Sequence, residues 1–126
     1  LGYHSQFEQI YWGWKGNGGK SDYWFGDRKQ SDVWAVRRDN HKDREHPTQK
    51  PVDVYAIPIA NSAPPGGIVL EPFSGSGVCI IACEMAARNC RAIELSPHYV
   101  DVAVRRWQQY TGKRATHAVT GQEFGE

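Results

Sequence analysis

One ten-residue stretch, Ile68 to Gly77, limits most strongly what this chain can fold into. It begins with an apolar run that ends in an acid, and a short turn with two glycines and an apolar helical pattern follow. Strand, glycine turn and helix in this order predict a βα unit that binds a cofactor. The glycines let the backbone approach a ligand, and the start of the helix offers unpaired N–H groups.

A second strand-like run, 92–95, carries another acid, Glu94. An acid after the second strand of such a unit can accept hydrogen bonds from two ribose hydroxyls. A dinucleotide fingerprint would need a third glycine, and Ile80 occupies that position. Glu71 at the strand end disfavours a phosphate and suits a cationic ligand without phosphate, such as S-adenosylmethionine. A dinucleotide-dependent dehydrogenase is therefore a distant alternative.

The remaining patterns predict an α/β chain. Strands are expected at 7–14, 32–37, 68–73 and 91–95, with a short one at 115–120. Helices are expected after Pro51, at 75–87, and from Pro97 to Gly112 with Ser96 as N-cap. Pro58 is expected to kink the first of these helices or end it near Ile57.

Composition restricts the partners. A length of 126 residues indicates one domain, and a net charge of +1 excludes a global basic field. The segment 15–44, however, contains eight Lys and Arg residues but only five Asp, together with several aromatic residues. Such a segment can hold phosphates and stack bases, although aromatics also fill cores. The candidate DNA contacts are Lys15, Lys20, Trp24, Arg28 and Lys29.

Three cysteines, Cys79, Cys83 and Cys90, include no Cys-x-x-Cys pair. They are interpreted as buried free thiols in a reducing cytosol rather than a metal or redox site. The histidines lack the spacing of metal ligands, so no metal is predicted. Neither a membrane span nor a signal peptide is visible, which predicts a cytoplasmic protein.

Three motifs together carry a resemblance to a known family. The segment 46–51, His-Pro-Thr-Gln-Lys-Pro, precedes 71–77, Glu-Pro-Phe-Ser-Gly-Ser-Gly, and 93–99 reads Ile-Glu-Leu-Ser-Pro-His-Tyr. In this order they resemble the permuted amino-group DNA methyltransferases, which use S-adenosylmethionine. Residues 8–37 are similar to the phage and prophage branch, and restriction-modification is the usual setting of the family.

The resemblance implies a Rossmann-like fold with a three-layer αβα sheet, present here in part. It implies a strand pair and loop with a possible target-recognition role at 1–45, and a cofactor-binding βα module at 46–126. Methyl transfer would go to adenine N6 or cytosine N4 of double-stranded DNA. Glu94 would hold the ribose and Leu95 would pack on the adenine, while Glu71 would orient the turn or the amino group of the cofactor. The implied cofactor-binding set is Thr48, Gln49, Lys50, Glu71, Pro72, Phe73, Ser74, Gly75, Ser76, Gly77, Glu94, Leu95 and Ser96.

The family's catalytic loop, a polar residue followed by Pro-Pro and an aromatic, is absent from these 126 residues. The single Pro-Pro pair reads Ala63-Pro64-Pro65-Gly66, so it has neither the polar residue before the pair nor the aromatic residue after it. The resemblance therefore covers a C-terminal, cofactor-binding part, and no catalytic residue is expected within it. An inactive S-adenosylmethionine-binding or DNA-binding fragment or partner subunit is the alternative. A homodimer, or a partner chain that carries the loop, is expected to complete the sheet.

Overall fold

The structure, a computed structural model, describes residue 2 and residues 6–37 and 50–125. A short 3₁₀ helix, Lys20–Tyr23, lies in the first part. The second part runs through α1 (Val52–Ser62), β1 (Ile68–Glu71), α2 (Val78–Met85), β2 (Asn89–Ala92) and α3 (Pro97–Thr111). The order is that of a partial Rossmann-like α/β fold, as predicted.

The sheet consists of β1 and β2 in parallel, with Ile68 opposite Asn89 and Glu71 opposite Ala92. Helix α2 connects them, which confirms the predicted βα unit. Two further hydrogen bonds extend the pairing, from Ile93 N to the Glu71 carbonyl at 2.8 Å and from Ser74 N to the Ile93 carbonyl at 3.0 Å. The strands end earlier than predicted because the chain already turns at residue 72.

The core lies where α1 and α2 pack together and against the sheet. Its buried residues are Ile59, Cys79, Ala82 and Cys83, and Tyr55 packs against them. Burial of this apolar surface is the main force that holds the helices together. The predicted end near Ile57 is wrong, because α1 continues through Pro58 to Ser62, and the alternative, a kink at Pro58, stays a prediction. Packing of the buried Ile59 compensates for the hydrogen bond that the proline cannot donate.

The three cysteines meet in this core. Cys79 and Cys83 are buried, as predicted, and Cys90 is half-buried. Hydrogen bonding with Cys90 and burial raise the pKa of Cys79, and burial raises the pKa of Cys83 to about 11. The hydrogen bond with Cys79 lowers the pKa of Cys90 to about 7.

Two strand predictions are wrong. Residues 7–14 and 32–37, all within the described ranges, have irregular backbone. Their apolar side chains are largely exposed, with Phe7 at 73% and Val33 at 77%. A strand needs a neighbour for its backbone hydrogen bonds, and the sheet of the described residues offers these segments none. The expected strand at 115–120 is reduced to one antiparallel bridge between Thr116 and Glu123.

Helix α3 begins and ends as predicted. Ser96 is its N-cap residue, with Pro97 at the first position, although the Ser96 side chain makes no capping hydrogen bond. Gly112 ends the helix with φ of 69°, a left-handed conformation that glycine adopts without strain.

The end of α1 holds the N-terminal segment in place. Phe25 N donates to the Asn61 carbonyl at 2.7 Å, and Trp12 Nε1 donates to Ser62 Oγ at 3.1 Å. The buried Asn61 amide exchanges two hydrogen bonds with Gln30, at 2.6 and 2.7 Å. The proposed division between residues 45 and 46 lies outside the described residues and stays a prediction.

Arg88 joins the C-terminal ends of α1 and α2. Its guanidinium donates to the Ala63 carbonyl from Nε at 3.2 Å and from Nη2 at 2.9 Å. Nη2 also donates to the Ala60 carbonyl at 3.4 Å, and Nη1 donates to the Ala86 carbonyl. Carbonyls at helix ends lack partners within the helix, so the arginine satisfies groups from both helices at once.

None of the helices in the described parts of the chain has the length and apolar character of a membrane span.

Candidate cofactor site

The glycine turn between β1 and α2 forms the centre of the site. Gly75 has φ of 53° and Gly77 has φ of 79°, conformations that L side chains rarely adopt. A Cβ on Gly77 would lie 2.7 Å from the Cβ of Ala103 in α3. Gly77 therefore meets two demands at once, a left-handed backbone and close contact with α3. This turn also explains why α2 starts at Val78 rather than at the predicted residue 75.

Glu94 ties the turn to the segment after β2. Its Oε2 accepts a hydrogen bond from Gly75 N at 2.7 Å, and its Oε1 accepts one from Ser96 N at 2.8 Å. A carboxylate has about four acceptor positions, so one glutamate can accept several hydrogen bonds at once. Glu71 acts similarly, because its Oε1 accepts from Phe73 N at 2.8 Å. Both acids therefore fix the backbone of the site before a ligand arrives.

Two serines of the turn are buried. The Ser74 hydroxyl is buried and has no hydrogen-bond partner among the described residues. An unsatisfied buried hydroxyl costs about 1–3 kcal/mol, and such groups often mark a ligand position. Ser76 is 3% exposed, and its Oγ accepts a hydrogen bond from Arg106 Nη1 at 3.4 Å.

Apolar side chains at the ends of the two strands complete the site. Phe73 is 85% exposed and Leu95 is 97% exposed, although large apolar residues favour burial. Ile80, at the position of the third glycine of a dinucleotide site, is half-buried; it lies beside Ala103 in the wall of a separate cavity, which none of the predicted cofactor-binding residues lines. The site suits a ligand with ribose, cationic and flat aromatic parts, because it offers carboxylates, an unpaired hydroxyl and exposed apolar side chains.

The structure therefore brings together most of the predicted cofactor-binding residues. Residues 71–77 form the turn, and residues 94–96 lie beside it through Glu94. Lys50 forms an ion pair with Glu8 in the N-terminal segment. Thr48 and Gln49 fall outside the described residues, so their part in cofactor binding stays a prediction.

Sequence patterns missed three residues that contact or influence the site. Ala103 packs on Gly77, and Arg106 binds Ser76. Their i,i+3 spacing places both on one face of α3, a signal that helical periodicity could have supplied. Tyr55 of α1 is the third: burial raises its pKa, and the nearby carboxylate of Glu71 raises it further.

The candidate DNA contacts lie in the N-terminal segment. Trp24 is half-buried, its Nε1 donates to the Asp27 carbonyl at 2.9 Å, and its ring meets that of Trp12 edge-on at 6.3 Å. Lys15, Arg28 and Lys29 are exposed, and the Lys29 N–H is held by Asp27 Oδ1 at 2.7 Å. The Lys20 side chain is outside the described set. These residues stay predictions as DNA contacts.

Comparisons with known proteins agree with this geometry. The N6_N4_Mtase model, described as DNA methylase, matches residues 3–105. The type II methyltransferase M2.MboI of Moraxella bovis is 35% identical over 89 residues, which are 68% of this chain and 33% of that protein. M.Cfr9I of Citrobacter freundii is 35% identical over 101 residues, with 80% of this chain and 33% of that protein covered. The chain thus spans about a third of the length of these curated relatives.

Among solved structures, the M1.HpyAVI–SAM complex aligns with a TM-score of 0.59 and 29% sequence identity. The alignment covers 70% of this chain and 45% of that one. This likeness supports the Rossmann-like α/β fold class that the sequence predicted.

Proposed function

We propose that this chain, which belongs to the N6/N4 family of DNA methylases, forms the cofactor-binding part of a DNA methyltransferase. The cofactor is S-adenosylmethionine, which the solved relative M1.HpyAVI holds in its SAM complex. S-adenosylmethionine carries an electrophilic methyl group, and the residues of this chain would bind and orient it. The acceptor would be the exocyclic amine of adenine or cytosine in double-stranded DNA, in the bacterial or phage-infected cytoplasm.

The position of Glu94 carries the proposal. Its carboxylate bonds the N–H groups of Gly75 and Ser96, and it thereby stands at the junction of the turn with the end of β2. There it can accept hydrogen bonds from both ribose hydroxyls. The unpaired Ser74 hydroxyl and the exposed Phe73 and Leu95 supply one polar and two apolar contacts for the remaining parts of the cofactor.

Methyl transfer would require groups that these 126 residues do not supply. The amine must be held by a polar side chain and a prolyl carbonyl, and the base must be flipped out of the duplex and stacked. The one Pro-Pro pair, Pro64-Pro65, follows Ala63 and precedes Gly66 at the surface, and so offers neither the polar nor the aromatic side chain. We therefore expect this polypeptide by itself to bind cofactor without methylating DNA.

The open side of the sheet supports a role for a second protein part. Among the described residues β1 pairs with β2 alone. Ile68 is 68% exposed and Leu70 67% exposed, on the face of β1 opposite the core. Strands of a catalytic part, in a partner chain or a second copy, would pair with this edge, and an element of the same part packed on this face would cover the two side chains. A monodisperse monomer in light scattering would contradict the pairing with a second copy.

Calorimetry tests the cofactor assignment. S-adenosylmethionine and its demethylated product should bind the purified chain, and NAD should not. Glu94→Gln should weaken binding about tenfold or more, because it removes a charged acceptor worth about 1.5–3 kcal/mol. Glu123→Gln, which changes a glutamate paired with Arg114 in the C-terminal segment, is the matched control and should bind normally.

Three results would contradict the proposal. Tighter binding of NAD than of S-adenosylmethionine would assign the turn to another cofactor. Transfer of a labelled methyl group to DNA by the purified chain would show that the missing loop is not required. Unchanged cofactor affinity in Glu94→Gln would remove the observation on which the site rests.

A further inference from the structure

The three cysteine side chains of the core form a compact cluster. Cys79 and Cys83 lie one turn apart on α2, and Cys90 faces them from β2. Their three Sγ atoms all lie within 4.8 Å of one another. An ion bound to three sulfurs at about 2.3 Å separates those sulfurs by about 3.5–4.0 Å. Small rotations of the side chains would therefore bring all three sulfurs to one ion.

The surroundings of the cluster restrict the charge of that ion. Ile59 and Ala82 belong to the same buried core, and Val69 packs against it from β1. Three thiolates carry three negative charges, so a divalent ion leaves a net charge of −1 and a trivalent ion leaves none. Burying an uncompensated charge among apolar side chains is costly. Zinc in addition almost always takes four ligands in structural sites, and the cluster of described residues offers three.

We propose that Cys79, Cys83 and Cys90 form a three-thiol site for a trivalent thiophilic ion, for which arsenite serves as the probe. Three thiols displace the three hydroxyls of arsenous acid and release three water molecules. No electron is transferred, and the product is neutral. The ion would enter at Cys90, which is half-buried, while the other two thiols are at most 3% exposed. This site is separate from the proposed cofactor function and does not depend on it.

The test titrates the reduced, folded chain with arsenite. We expect one ion per chain, the near-ultraviolet absorbance of arsenic–thiolate bonds, and protection of all three thiols from a thiol reagent. The midpoint of thermal unfolding should rise with arsenite concentration, because the arranged site exists only in the folded chain. A falling midpoint would overturn the proposal, since it would mean that arsenite prefers the unfolded chain.

Variants locate the site. Cys90→Ser should weaken arsenite binding by more than the roughly 10–100-fold that an outer-shell change costs. Met85→Leu, which removes an exposed sulfur from the same helix, is the control and should bind as the natural chain does. Because Cys90→Ser could also disturb packing, its circular dichroism and thermal midpoint are first compared with those of the natural chain in the absence of arsenite. Cys83→Ala is a second variant that lacks one of the three thiols. Equal affinity in the two thiol variants and the natural chain, or tighter binding of Zn²⁺ than of arsenite, would overturn the assignment.

Discussion

Replacement of Gly77 by alanine should destabilise this protein through two separable effects. The left-handed backbone at Gly77, with φ of 79°, costs an L-residue about 1–2 kcal/mol. The new methyl group would lie 2.7 Å from the Cβ of Ala103, far inside normal contact. Overpacking of this kind costs about 1–3 kcal/mol. The free energy of unfolding should therefore fall by about 2–5 kcal/mol in Gly77→Ala.

Gly112→Ala separates the two effects. Gly112 has φ of 69°, close to that of Gly77, but a Cβ there meets no atom of the described residues within 4 Å. Urea unfolding of Gly112→Ala should thus show the backbone cost alone, about 1–2 kcal/mol. The double variant Gly77→Ala/Ala103→Gly should recover about 1–3 kcal/mol relative to the sum of its single changes, because the clash is gone.

Equal destabilisation of Gly77→Ala and Gly112→Ala, together with additive changes in the double variant, would refute the clash with Ala103. That result would mean that α3 moves away from the turn without cost. The comparison is valid only if the slopes of the unfolding curves agree, since a changed slope would indicate a different denatured state.

Three further predictions concern other parts of the chain. Gln30→Ala should lower the free energy of unfolding by about 1–3 kcal/mol, because the buried Asn61 amide loses both partners; an unchanged urea midpoint would refute this. Ala87→Gly should raise it by about 1 kcal/mol, because Ala87 has φ of 53°; calorimetry showing a lower melting temperature would contradict it. If the proposed DNA contacts exist, Arg28→Ala and Lys29→Ala should weaken DNA binding and each reduce its salt dependence by about one ion; an unchanged salt slope would exclude them.

The βα unit and its acids could be predicted from sequence because their determinants are local. The apolar run, the two glycines and Glu94 specify strand, turn and acceptor within 27 residues of chain, and the structure places them together. Pro97 and Gly112 likewise set the ends of α3 through their own backbone preferences. Such short-range signals need no knowledge of the rest of the fold.

The predictions that failed for whole elements depended on distant partners. Residues 7–14 have the composition of a strand, but a strand forms only when it pairs with another strand. The β propensity of a residue mostly reflects how it packs against neighbouring strands. Pro58 should break a helix locally, yet the burial of Ile59 against α2 outweighs that tendency. The meeting of Cys90 with Cys79 and Cys83 also depends on the crossover from α2 to β2, which spacing alone does not reveal.

The guanidinium of Arg88 has a consequence for the electric field within the molecule. The C-terminal ends of α1 and α2 carry the partial negative charges of their helix dipoles, and Arg88 donates to carbonyls at both ends. These negative ends are thereby neutralised, whereas the positive end of α2 still faces the glycine turn. A lysine could keep the charge but could not span the two helices with one planar fork of donors.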